Sequence, residues 1–311
     1  MTRTLTDTAF LFPGQGSQRP GMGASFHEAW PETRAVLSDL TEALLPELDL
    51  QELCFEADAE TLHATEHTQP ALFGIGLATY RGLRERTGLK PAIVAGHSLG
   101  HFTALAASGM LDPVEGVTLV RRRGQLMAAA ANKAPDGVMC AVLLADPKTV
   151  AESCADYPDV SVAAFNAPRE TVISGSAASV ADIREEVNQK TSARFRELET
   201  ETAFHSPLME PAREQFSTVL GDTELCSGEI PVASDISETV YTEPAMSRPE
   251  LTAQLTASID WVGTIRRLRD RGITRFVEFP PAGTLGRLIE RIDSTATTIT
   301  LDKPDDAETL V

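Results

Sequence analysis

Ser98 stands between two glycines, in Ala95-Gly96-His97-Ser98-Leu99-Gly100. The apolar run Pro91-Ala92-Ile93-Val94 precedes it, and His101 to Ala107 has helix character. A Gly-x-Ser-x-Gly at a strand-to-helix junction is a nucleophile elbow, a turn too sharp for bulky neighbours that lifts the hydroxyl onto an exposed tip. The Leu99 amide, at the start of the helix, points the same way and suits an oxyanion. Such an arrangement serves acyl chemistry through a serine ester. Taken alone, the pentapeptide is equally an ordinary turn, because glycine and serine are common in turns. The strand before it and the helix after it favour the elbow.

Two other stretches carry chemical groups at suggestive spacing. Gly14-Gln15-Gly16-Ser17-Gln18 follows Thr8-Ala9-Phe10-Leu11-Phe12, which reads as a buried strand. Glycines around Gln15 let the backbone pass close to something, although a plain connecting turn has the same composition. No Gly-Lys-Ser/Thr follows, so this is not a phosphate loop. Arg121-Arg122-Arg123 lie on a helix opened by Asp112-Pro113, an N-cap followed by proline at the first helical position. Three consecutive helical residues point three ways. One arginine therefore shares a side with part of the apolar set Val117, Leu119, Val120, Leu126 and Met127. A buried arginine needs an anion; the other two fit a solvated face.

The elements that position these residues alternate. Residues 24–60 read as helical and acidic. Pro70 is placed to start an apolar helix over 71–78, and Arg81 to Lys90 is a polar lead into the elbow strand. From about residue 134 the texture changes to strand, helix, strand, strand, helix, strand, ending at Leu198. That order is the split βαβ, or ferredoxin-like, unit. Afterwards come a short strand at 230–234, one helix over 251–269, a strand at 273–279, a helix starting at Pro280-Pro281 and a last strand at 297–301. The prediction is an α/β fold: a large parallel-sheet, α/β-hydrolase-like domain from 1–133 plus 201–311, with an inserted ferredoxin-like subdomain at 134–200.

Composition excludes several classes. The 311 residues carry a net charge of −18, which argues against a nucleic-acid binder or an anionic membrane surface. No apolar run reaches membrane-spanning length, and the N-terminus lacks a secretory core, so a cytoplasmic protein is expected. The four cysteines are scattered and form no metal-type pair.

The ordered set Gly14-Gln15-Gly16-Ser17-Gln18, Gly96-His97-Ser98-Leu99-Gly100, Arg121 to Met127 and Ala203-Phe204-His205-Ser206-Pro207 resembles the malonyl-CoA:acyl carrier protein transacylases. It is also similar to the acyltransferase domains of polyketide synthases. The resemblance extends to Thr68-Gln69-Pro70, Asn166-Ala167-Pro168 and Val277 to Gly283, nearly the whole chain. It implies Ser98 as nucleophile and His205 as the base that takes its proton, with backbone N–H groups of Gln15 and Leu99 as the oxyanion hole. Arg123 aligns with the arginine that holds the substrate carboxylate, a planar fork suited to it. Gln69 and Asn166 are implied pocket residues. Phe204 matches the Ala-Phe-His pattern of malonyl-selective domains, where a smaller residue accompanies methylmalonyl. One methyl is worth only about 1–3 kcal/mol of discrimination, and ordinary core packing would also explain this ring.

The implied reaction moves malonyl from coenzyme A to the phosphopantetheine thiol of an acyl carrier protein, in fatty acid or polyketide biosynthesis. No bound cofactor or metal is implied, and a discrete enzyme of this family is usually a monomer. A polyketide-pathway transferase with a dedicated carrier and another acyl group, and an acyl-thioester hydrolase, remain alternatives. Three positions depart from the pattern. His101 stands where glutamate is usual, bringing a second imidazole within a helical turn of Ser98. Asp260 is assigned to the place of a glutamine near the histidine, which raises the option of a Ser-His-Asp triad in place of a backbone carbonyl. Pro280-Pro281 replaces Gly-Pro. Between 266 and 291 there are seven arginines against three acids, a locally basic stretch able to receive an anionic carrier or coenzyme A, or else to form internal salt bridges.

Overall fold

The computed structural model describes residues 3–134 and 136–310. The chain opens with β1 (Arg3–Phe12), then α1 (Ala24–Ala29), α2 (Pro31–Leu44), α3 (Leu50–Phe55), α4 (Ala59–His63) and the long α5 (Thr65–Thr87). β2 (Leu89–Gly96) runs into α6 (Leu99–Ser108) and α7 (Pro113–Ala131). Next come β3 (Gly137–Leu143), α8 (Pro147–Cys154), β4 (Ser161–Ala167), β5 (Glu170–Ser176), α9 (Ala177–Lys190) and β6 (Arg194–Glu197). The chain ends through α10 (Glu210–Asp222), β7 (Val232–Ala233), β8 (Val240–Tyr241), α11 (Pro244–Ala253), α12 (Trp261–Asp270), β9 (Arg275–Glu278), α13 (Leu285–Ile292) and β10 (Thr297–Thr300). No helix among the described residues is long and apolar enough to cross a membrane.

The larger sheet has the order β10-β9-β1-β2-β7-β8 and is parallel except for the β7–β8 pair. Its central strands are buried on both faces, so they read as continuous apolar runs. Phe10 and Phe12 of β1 pack on Tyr80 and Phe279, with ring centroids 5.1–6.2 Å apart. β1 and β2 pair in parallel, with a register shift between Leu5 and Ala9, up to Phe12 opposite Gly96. The loops that carry Gln15 and Ser98 therefore leave the sheet side by side, at the carboxyl edge where open α/β sheets bind ligands.

The four-stranded sheet has the order β4-β5-β3-β6 and is antiparallel throughout. Its strands alternate between two cores, as a period of two demands. Cys140 and Val142 face a separate cluster with Val150, Ile183 and Val187 of α8 and α9, while Met139 and Ala141 join the main core.

Four element boundaries differ from expectation. α5 begins at Thr65, so Pro70 lies inside the helix and not at its start. The helix also continues through the polar residues to Thr87, ending on Gly88 in the left-handed conformation (φ 67°). The single helix expected over 251–269 is two, α11 and α12, separated by residues 254–260. The helix after Pro280-Pro281 begins only at Leu285, where the buried Glu278 carboxylate accepts from the N–H groups of Thr284, Leu285 and Gly286. The β8 strand had no counterpart in the sequence reading.

Candidate active site

Glycines make the elbow possible. A Cβ on Gly96 would lie 2.0 Å from the Gly100 backbone, and one on Gly100 would lie 2.0 Å from the Phe12 carbonyl oxygen. A Cβ on Gly14 would lie 2.3 Å from the His97 carbonyl oxygen. Side chains are thus barred wherever the β1 loop meets the elbow, and the Gln15 backbone is held beside Ser98. Ser98 itself adopts φ 51°, a strained left-handed value, immediately before α6. Neither the Gln15 N–H nor the Leu99 N–H has an acceptor among the described residues, and both residues line the same cavity.

His205 arrives from the loop after β6, also with positive φ (55°). Its Nε2 lies 2.8 Å from Ser98 Oγ, and its Nδ1 lies 2.7 Å from the Gln254 carbonyl oxygen. A carbonyl only accepts, so Nδ1 carries the proton and the Nε2 lone pair faces the serine hydroxyl. Burial, followed by the positive charge of Arg123, pushes the imidazole down to about 3, although the Gln254 carbonyl opposes this. A neutral base beside a serine can take its proton as the oxygen attacks an acyl carbon.

The cavity they share measures about 440 Å³. Met127, Met139, Val172 and Phe204 form apolar walls, and Asn166 lies at one side with its Oδ1 2.9 Å from His97 Nε2. Arg123 also borders the cavity, buried to 1 % exposure over the Phe102 ring. Its neighbours Arg121 and Arg122 are half-buried and exposed. Arg123 donates through Nη1 to Gln69 Oε1 (2.8 Å) and through Nη2 to Gln254 Oε1 (3.2 Å), while Nε has no partner. Both acceptors are uncharged. Burial lowers the guanidinium to about 10, which leaves it cationic at neutral pH. A buried cation met only by amides presents an open position for an anion.

Ser98, His205, Gln15, Leu99, Arg123, Phe204, Gln69 and Asn166 are thus brought together. Asp260 is not. Its carboxylate accepts from Gly263 N–H (2.9 Å) and pairs with Arg267 (3.1 Å), capping α12. The glutamine expected near the histidine is present six residues earlier as Gln254, so no Ser-His-Asp triad exists here. His101 does not border the cavity; it is buried behind the elbow against Tyr241. Sequence reasoning missed Gln254, Asp235 and Tyr241. None of the three sits in a local motif: Gln254 lies in the break between α11 and α12, and Asp235 and Tyr241 lie around β7 and β8.

Known proteins resemble this chain over nearly its whole length. Residues 9–301 match the family described as "Acyl transferase domain". A malonyl CoA-acyl carrier protein transacylase of Bacillus subtilis is 35% identical over 308 residues, covering 98% of this chain and 96% of that protein. The crystal structure of a malonyl-CoA:acyl carrier protein transacylase from Xanthomonas oryzae superposes with a TM-score of 0.93 at 37% identity, covering 100% of this chain and 98% of that one. A malonyl-transacylase solved with its type II polyketide acyl carrier protein superposes with a TM-score of 0.93 at 29% identity, covering 97% and 98%. Since these matches run nearly end to end on both sides, the chain belongs to the malonyl-CoA:acyl carrier protein transacylase family of acyl transferases.

Proposed function

We propose that the protein transfers malonyl from coenzyme A to the phosphopantetheine thiol of an acyl carrier protein by way of an ester on Ser98. The observation that carries this reading is Arg123, a buried guanidinium without a carboxylate partner in the cavity that also holds Ser98 and His205. Its Nε–H and one hydrogen on each terminal nitrogen are free to bind the malonyl carboxylate. Ser98 Oγ attacks the thioester carbonyl as its proton passes to His205 Nε2. The oxyanion is met by the Gln15 and Leu99 amides. Collapse breaks the C–S bond, and His205 returns the proton to the departing coenzyme A sulfur. The carrier thiol then gives its proton to His205 and attacks the ester; the C–O bond breaks as His205 passes that proton to Ser98 Oγ, restoring the free hydroxyl. Phe204 crowds the place of an α-methyl, which favours malonyl; Gln69 and Asn166 hold Arg123 and His97 in place.

The strand order β4-β5-β3-β6, with all pairs antiparallel, supports reading 134–200 as a ferredoxin-like insert. The serine turn after a parallel strand supports an α/β-hydrolase-like body over 1–133 and 201–311. A cytoplasmic location fits the four unpaired cysteines.

The test follows malonyl from malonyl-CoA to a phosphopantetheinylated carrier, with water as the competing acceptor. Transfer should exceed hydrolysis at least about a hundredfold. Release of free malonate at a comparable rate would instead make the protein a thioester hydrolase.

A further inference from the structure

A buried polar group lies behind the elbow. Asp235, in the loop between β7 and β8, is 1 % exposed. Its Oδ2 accepts from the N–H of Ser98 at 2.8 Å. Its two oxygens also accept from Gln254 Nε2, at 3.1 and 2.9 Å. His101 Nδ1 lies 3.8 Å from Oδ1 and has no hydrogen-bond partner of its own. On its other side, His101 Nε2 lies 2.6 Å from the Tyr241 hydroxyl. Burial holds that phenol well above its usual range, so it keeps its proton. A lone pair on Nδ1 would face the carboxylate, so the His101 proton sits on Nδ1 and Tyr241 donates to Nε2.

Hydrogen-bond polarity gives this arrangement a consequence. An ionised carboxylate only accepts, so the Gln254 amide must turn its nitrogen toward Asp235 and the Ser98 carbonyl (3.1 Å). Its oxygen is then the end that meets Arg123. A reversed amide would set oxygen against the carboxylate and the Ser98 carbonyl, and an NH2 against the guanidinium. The main chain of the same Gln254 supplies the carbonyl that orients His205. One residue thus touches the elbow, the base and the arginine, and on its nitrogen side its orientation is set by the Asp235 carboxylate together with the Ser98 carbonyl.

We infer that Asp235 is a positioning residue: it fixes the Gln254 amide and so aims Arg123 at the substrate carboxylate, with His101 and Tyr241 holding Asp235 in place. This rests on the reading of Arg123 as the carboxylate site. It also gives a role to the departure at His101, which lies outside the cavity and acts through Asp235.

The experiment compares kcat/KM for malonyl-CoA with that for acetyl-CoA, which lacks the carboxylate. Asp235→Asn keeps one acceptor for the Ser98 N–H but turns an NH2 toward Gln254, so the amide is left with the Ser98 carbonyl as its one acceptor and its hold on Arg123 loosens. The malonyl-to-acetyl ratio should fall about tenfold, through a higher KM for malonyl-CoA, with acetyl transfer less affected. His101→Leu should move the ratio the same way by about threefold. Asp235→Asn/His101→Leu should be no worse than Asp235→Asn alone, because both act through one group. If Asp235→Asn fails to fold, His101→Leu decides by the same ratio. Parallel losses for both donors, or an unchanged ratio, would overturn the inference. Arg123→Ala separates the two levels. A ratio that falls in Arg123→Ala but not in Asp235→Asn or His101→Leu refutes the Asp235 role alone. A ratio unmoved in Arg123→Ala refutes the reading of Arg123 itself.

Discussion

The division of labour at single residues is set by environment more than by residue type. Of the three imidazoles near the elbow, only His205 has its lone pair on the Ser98 hydroxyl; His97 is tied to Asn166 and His101 to Tyr241. Burial keeps His205 a free base far below the usual histidine range. Acylation of Ser98 should accordingly stay level from pH 8 down to about 5, where an ordinary histidine would already have lost most of its activity. A pH profile of the acylation step checks this. The same shift makes a statement about folding. The unfolded chain binds this proton near pH 6.5 and the folded chain only near 3, so the contribution is complete above 6.5 and lost as the pH falls between those values. Between pH 6.5 and 5 the loss from this one group is about 2 kcal/mol. Unfolding of the wild type and of His205→Gln at both pH values should show it as the larger acid sensitivity of the wild type.

At the scale of elements, glycines and caps decide what can be built. Gly100→Ala would drive a methyl into the Phe12 carbonyl and should cost more than about 3 kcal/mol in denaturant unfolding. Asp260 is an element-level residue: Asp260→Ala should cost about 1 kcal/mol as a lost cap, while Asp260→Asn should leave the pH–rate profile superimposable on the wild type. Much at this scale was readable beforehand. Asp112-Pro113 announces a helix at its start and the aspartate caps as expected; Asp146 caps α8 in the same way. The succession strand, helix, strand, strand, helix, strand in the small sheet's segment was also legible, since each run is bounded by clear turn residues. What failed was the break between α11 and α12. Residues 254–260 carry no proline or glycine, and their non-helical path is fixed by distant partners: Gln254 by Ser98 and Arg123, Ile259 by β4, Asp260 N–H by the Asp235 carbonyl. Ser98, His205 and Arg123 each sit in a local motif, whereas Gln254 and Asp235 gain their roles across more than a hundred residues of chain.

For the whole molecule, the difficulty is charge. A chain of net charge −18 must receive an acidic carrier and an anionic coenzyme. The basic stretch expected over 266–291 is partly consumed by internal pairs, Arg267 with Asp260, Arg269 with Asp293 and Arg291 with Glu170. Arg196 is exposed on β6, borders the active cavity and makes no ion pair among the described residues. Raising the salt from about 50 to 300 mM should increase KM for the carrier several-fold with kcat unchanged. Arg196→Glu should raise that KM at low salt and flatten the salt dependence. These effects act on encounter and leave the chemistry at Ser98 untouched. The chemistry is tested most directly by the intact mass of the protein after brief mixing with malonyl-CoA, beside Ser98→Ala. A malonyl adduct is expected that requires Ser98 and disappears when phosphopantetheinylated carrier is added. An adduct that persists in Ser98→Ala, or the absence of any adduct from malonyl-CoA, would contradict it.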